Sequence, residues 1–160
     1  MAMMETSRYP TMKPDGKSRW FEFELGPKSV ITRPAGGYQL PGRGFHEITG
    51  LAWSGGGAVR RVEVSCDGGR TWKDANLHDP IVRKAHTRFS GPWNWDGEET
   101  VLQSRCRDDQ GVVQPTIDEL AKLRGVDMDF FRKTTQVVGA FNAIQPWRVK
   151  RDGSVQNALF

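Results

Sequence analysis

The sequence predicts an all-β domain: an immunoglobulin-like antiparallel β-sandwich of about seven strands, with one short helix near residues 116–124. Three observations carry that expectation. Eighteen Gly and nine Pro in 160 residues interrupt the chain too often for long helices. Several short runs alternate apolar and polar residues, the period of a strand with one buried face. Turn-forming pairs such as Asp67-Gly68 and Asp96-Gly97 separate those runs.

Taken in order, RWFEFEL from Arg19 sets Phe21, Phe23 and Leu25 on one face and Glu22 and Glu24 on the other. SVIT follows after Gly26-Pro27, and then a turn-rich run, RPAGGYQLPGRG. FHEITGLAW is a long strand in which Gly50 marks a bulge or a bend. GGGAV turns the chain into VRRVEVS, with Val62 and Val64 facing in and Arg61, Glu63 and Ser65 facing out. Asp67, Gly68 and Gly69 close a hairpin through their tolerance of positive φ, and TWKDANL is the return strand. TRFSGPWNW and ETVLQSRCRD read as a strand pair split by Asp96-Gly97. In PTIDELAKLRG, Thr116 caps a helix, Glu119 completes a capping box, Ile117, Leu120 and Ala121 form its apolar stripe, and Gly125 stops it. The stretch 126–141 fits either helix or strand, and IQPWRVK is a final strand. Residues 1–16 are expected to be a flexible leading segment, with the domain spanning 17–160.

Composition excludes several classes of function. No stretch approaches the ~20 consecutive apolar residues of a membrane span, and MAMMETSRYP lacks the charged and apolar regions of a signal peptide. That start is read as one fitted to a segment of a longer protein. The net charge of +4 is spread over scattered Arg and Lys with no like-charge block, so no nucleic-acid partner is expected. His46, His78 and His86 have neither metal-ligand spacing nor a nucleophile partner, so no metal site and no catalytic residue are assigned. Cys66 and Cys106 are either two structural thiols or one disulfide.

The octet SCDGGRTW matches the Asp-box turn of sialidase-type propellers, but it occurs once, and a propeller repeats its blades. It is read as a hairpin-stabilising device, with Trp72 as an apolar anchor on the far strand.

The order of the flanking segments is more specific. EITGLAWSGGGAVRRVEVSCDGGRTWKDANL followed by RFSGPWNWDGEETVLQSRCRDDQGVVQP resembles the C-terminal dimerisation domain of molybdenum-cofactor oxidoreductases of the sulfite oxidase family. NAIQPWRVKRDGSVQN, with KSVITRPAGG and ETSRY, is most similar to the branch formed by the molybdoprotein subunit of Sox sulfane dehydrogenases. The resemblance implies an immunoglobulin-like domain that lines one side of a substrate pocket and is not catalytic alone. It implies that this chain binds no cofactor, the molybdenum-pterin group belonging to a preceding domain of the parent enzyme. The implied partners are a second copy of the chain, that cofactor-bearing domain, and a c-type cytochrome accepting the parent enzyme's electrons. The implied location is periplasmic. Leu123-Arg124-Gly125 matches the family's pocket arginine, so Arg124 is the substrate-binding candidate, and Asn142 before the last strand is a second. The segment 126–141 is longer than the family pattern. A rival from another class is a free-standing carbohydrate- or protein-binding module, with Trp93 and Trp95, which share a face, as a stacking platform or simply as core.

Overall fold

The structure, a computed structural model, describes residues 11–12, 18–19, 24–134 and 141–159. A two-residue ladder joins β1 (Thr11–Met12) to β2 (Ser18–Arg19). The rest of the strands form two antiparallel sheets. The four-stranded sheet has the order β3 (Lys28–Arg33), β4 (Gly44–Trp53), β8 (Thr87–Trp95), β7 (Asn76–His78). The five-stranded sheet runs β11 (Val155–Asn157), β10 (Trp147–Val149), β9 (Thr100–Asp108), β5 (Val59–Ser65), β6 (Lys73–Asp74).

Alternation explains the core. Inward residues of the first sheet (Ile31, Ile48, Ala52, Phe89, Trp93, Trp95) meet Val62, Val64, Leu102, Cys106 and Val149 of the second. The all-β sandwich expected from the sequence is the observed architecture, with more strands than expected because short edge strands complete each sheet.

Tertiary structure corrects several local readings. TRFSGPWNW and ETVLQSRCRD are not paired: β8 lies against β4 and β7, whereas β9 lies against β5 and β10. Asp96-Gly97 thus carries the chain from one sheet to the other. TWKDANL likewise splits, Lys73–Asp74 pairing with β5 and Asn76–His78 with β8, so Ala75 marks the change of sheet. Ser65 does not face out; it is buried because its hydroxyl works inside the hairpin turn. Residues 20–23 of the expected first strand lie outside the described residues, and Leu25 lies in coil, 47% exposed, its carbonyl accepting from Gly55 N. SVQN, not singled out as a strand, forms β11 after IQPWRVK. The irregularity expected at Gly50 sits across from it: β3 shifts register between Ile31, opposite Gly50, and Arg33, opposite Thr49.

Two helices cover one flank. α1 (Ile117–Arg124) forms as its capping signals require: Thr116 Oγ1 accepts from Glu119 N at 3.2 Å and Glu119 Oε2 accepts from Thr116 N at 2.8 Å. Gly125 ends it in the left-handed conformation, φ 65°. In the stretch whose type the sequence left open, α2 (Met128–Thr134) starts with Asp127 accepting from Phe130 N; residues 135–140 lie outside the described residues. Leu120, Ala121, Phe131 and Ala143 form a second apolar cluster between the helices and the return at 141–145.

Candidate functional site

Both substrate-binding candidates stand on this helical flank. Arg124 is the last residue of α1, where a cation also complements the helix dipole. It is half-buried, and its Nη1 is withdrawn from solvent. Asn142 belongs to the return beside the second cluster, and its Nδ2 donates to Pro27 O at 3.2 Å. Gly26 makes room for that amide: a Cβ there would lie 2.6 Å from Asn142 Nδ2.

Two further residues hold this flank. Lys28, at the start of β3, donates from Nζ to Phe141 O at 2.6 Å, with its ammonium 5.5 Å from the Phe141 ring centre. Burial lowers its pKa below the usual lysine value. Phe141 in turn meets Phe131 edge to face at 5.5 Å. The loop carrying Asn142 is therefore tied to a strand of the sandwich on one side and to α2 on the other. The sequence held one signal for Lys28, a lysine directly after Gly-Pro at the start of a strand.

Gln114, in the VQP turn, is the second. Its side chain is 2% exposed and reaches across the sandwich. Oε1 accepts from Ser29 N (2.8 Å), Ser29 Oγ (2.8 Å) and Cys106 N (3.3 Å), and Nε2 donates to Ser29 O (3.2 Å). Just after it, Val113, Gln114, Pro115, Glu119, Lys122 and Leu123 line a shallow concavity of about 510 Å³, with Leu123 78% exposed.

The Asp-box hairpin is built for itself. Asp67 Oδ1 accepts from Ser65 Oγ (2.8 Å) and Thr71 N (2.9 Å), Oδ2 accepts from Thr71 Oγ1 (2.5 Å), and Ser65 Oγ accepts from Gly69 N (2.8 Å). Gly68 and Gly69 take φ values of 75° and 90°, so the turn needs residues without a Cβ. Trp72 is not an anchor in the core: it is half-buried, donates from Nε1 to Gly69 O, and carries the Arg105 guanidinium 4.3 Å above its ring. The Thr71 and Ser65 donors hold the Asp67 carboxyl well below the usual carboxylate range. A depressed folded pKa stabilises above the unfolded value, ~4, and that contribution disappears as pH falls toward the folded value. Thermal melts of Asp67→Asn should therefore lie below wild type above about pH 5 and converge with it in stronger acid; parallel curves at every pH would remove this role.

The other sequence candidates serve structure. Trp93 and Trp95 are 7% and 4% exposed and pack in the core, so they present no open stacking platform. Cys66 and Cys106 are unlinked thiols. Burial pushes the Cys66 thiol up to about 11 and that of Cys106 up to about 12, so neither is an activated thiolate nucleophile. Among the described residues, no group of three or more His, Cys, Asp or Glu is placed to hold a metal ion. No helix among them is long and apolar enough to cross a membrane.

Comparison with known proteins agrees with this geometry. The family model of the Mo-co oxidoreductase dimerisation domain matches residues 19–137. Mitochondrial sulfite oxidase of Rattus norvegicus is 40% identical over 114 residues, covering 64% of this chain and 20% of that protein. Sulfite oxidase of Gallus gallus is 38% identical over 113 residues, covering 64% of this chain and 24% of that protein. Among solved structures, the sulfane dehydrogenase SoxCD from Paracoccus pantotrophus superposes with a TM-score of 0.87 at 42% identity, over 98% of this chain and 38% of that one. The chain thus spans about a fifth of the length of these curated relatives.

Proposed function

From the premise that this chain belongs to the Mo-co oxidoreductase dimerisation-domain family, we propose that it assembles an enzyme of sulfur oxidation and closes one side of that enzyme's substrate pocket. The two roles need different surfaces. The helical flank supports the second: Arg124 ends a helix capped at both ends, so its backbone is fixed before any substrate arrives. A guanidinium is permanently charged and meets an oxyanion through parallel hydrogen bonds. Asn142, tied to Pro27, adds a neutral polar group at the same flank.

The molybdenum-pterin group is assigned to the cofactor-bearing domain of the parent enzyme, in line with the resemblance; among the described residues neither Cys66 nor Cys106 belongs to a cluster of potential metal ligands. When bound there, it supplies the redox chemistry. This chain's part is to bind and orient an anionic sulfur substrate, either sulfite or a sulfane group on a carrier protein. The exposed apolar margin around Leu123 is the surface set against the cofactor-bearing domain. A c-type cytochrome as electron acceptor and a periplasmic location complete the reading, and both rest on the resemblance to sulfane dehydrogenases.

Arg124 is the observation that carries the pocket role, and Arg124→Met in the full enzyme tests it. A charge-assisted contact is worth roughly 1.5–3 kcal/mol, so KM for the sulfur substrate should rise about 10- to 100-fold at unchanged molybdenum content. Arg124→Lys should recover part of that loss, keeping the charge without the planar fork. Unaltered KM and kcat/KM in both variants would sink the assignment.

A further inference from the structure

We infer that a second copy of this chain docks on the outer face of the four-stranded sheet, with Glu47 of one protomer set against Arg88 of its partner. This rests on the assembly role just proposed and names its surface.

The two sheets differ in what they show to solvent. On the five-stranded sheet most exposed charges are paired within the protomer, Arg61 with Asp74 and Glu63, Arg105 with Glu63, and Arg148 with Glu99, while Arg60 and Arg107 stand exposed without an ion pair among the described residues. Such a charged face is solvated as it stands. The four-stranded sheet instead turns apolar side chains outward. Val30 on β3 lies opposite Leu51 on β4, Trp53 is only half-buried, Pro92 is exposed, and Phe45 is 71% exposed. Among the described residues no further strand or core cluster packs on this face, since the sheet from β3 to β7 presents its other side to the core. An exposed face of this composition marks a contact surface.

Charge placement selects the occupant. Glu47 and Arg88 are exposed, and neither makes an ion pair or side-chain hydrogen bond among the described residues. The ladder fixes where they stand: Glu47 opposite Pro92, Thr49 opposite Ser90, Leu51 opposite Arg88. Glu47 and Arg88 are therefore displaced to opposite sides of the Thr49–Ser90 pair, on neighbouring strands. A two-fold axis lying in the face and crossing the strands near that pair brings each Glu47 onto the partner's Arg88 position, twice per dimer. An isologous interface demands such self-complementarity. The small side chains at the axis, with Gly50 behind them, leave a concavity of about 450 Å³ whose lining includes both charged residues. Close approach is thus open at the centre, and apolar surface lies toward the margins.

The test uses the full polypeptide that carries this domain, with dimer dissociation followed by sedimentation at a series of concentrations. Glu47→Arg and Arg88→Glu should each weaken the dimer at least tenfold, by setting like charges together. The double variant Glu47→Arg/Arg88→Glu should return to within a few-fold of wild type, which no folding defect would produce. Leu51→Arg should abolish the dimer while leaving thermal stability near wild type. Single variants that dimerise like wild type overturn the assigned face and leave the assembly role intact, because the wild type is still a dimer. A wild type that sediments as a monomer at every concentration overturns both. Weakened singles whose losses add in the double variant also overturn the pairing.

Discussion

Gly50→Ala should lower the unfolding free energy by about 3 kcal/mol, read as a fall in the urea midpoint at constant slope. A Cβ at Gly50 would lie 2.2 Å from Phe89 Cζ, 2.5 Å from Phe89 Cε1 and 2.4 Å from the Val30 carbonyl oxygen. None of these can yield cheaply. Phe89 is 1% exposed inside the sandwich, and Val30 belongs to the strand paired with β4. Gly50 is itself paired with Ile31 on one side and Phe89 on the other, so its backbone cannot retreat. The Phe89 ring, in effect, occupies the place a side chain would take. Gly91 supplies the control: a Cβ there meets nothing within 4 Å, and Gly91→Ala should change stability by less than ~0.5 kcal/mol. Equal, small effects at the two sites would show that the β4–β8 pair is more plastic than its packing states.

Gln114→Ala should cost about 3 kcal/mol, again with the fold retained. The strand edges explain why one side chain matters so much. β10 pairs with β9 only along Thr100–Leu102, which leaves the backbone of Cys106 without a neighbouring strand on that side. Gln114 fills the gap, its backbone N donating to Cys106 O at 2.9 Å and its Oε1 accepting from Cys106 N. The same amide bonds the backbone of Ser29, whose hydroxyl oxygen also accepts from Ser104 Oγ at 2.9 Å. Truncation leaves Ser29 N, Ser29 O and Cys106 N buried without this partner, and an unmet buried group costs more than a made bond gains. Amide exchange should locate the damage: protons of Ser29 and Cys106 should lose protection before those of Ile48 or Leu102. Uniform loss across the core would mean that Gln114 acts on global stability and is not a local clamp.

Much of this was legible in the residues. Alternation in FHEITGLAW and TRFSGPWNW settles which side chains face the core, because successive residues of a strand point to opposite faces. The Thr116–Glu119 box and Gly125 delimit α1 to the residue, because capping is satisfied within a single turn of chain. Local turn chemistry likewise built the Ser65–Thr71 hairpin. Arg124 was found by its place in a three-residue pattern, while its half-buried setting at the end of that helix came from the packing.

The rest was settled elsewhere, for one physical reason. A sequence specifies each strand's pleat and each turn's φ angles through atoms a few residues apart, and most of those local readings held, the outward placing of Ser65 being an exception. Partners across the sandwich depend on loop paths that periodicity does not encode, so Asp96-Gly97 looks like a hairpin turn yet moves the chain to the opposite sheet. In the same way, Gln114 finds Ser29 over 85 residues of chain, and Lys28 finds Phe141 over 113. The residues fixed the all-β sandwich and its capped helix, and the family resemblance they carry named a candidate arginine. Tertiary structure alone decided which sheet each strand joins, which amide and ammonium tie the helical flank down, and which sheet face is left uncovered.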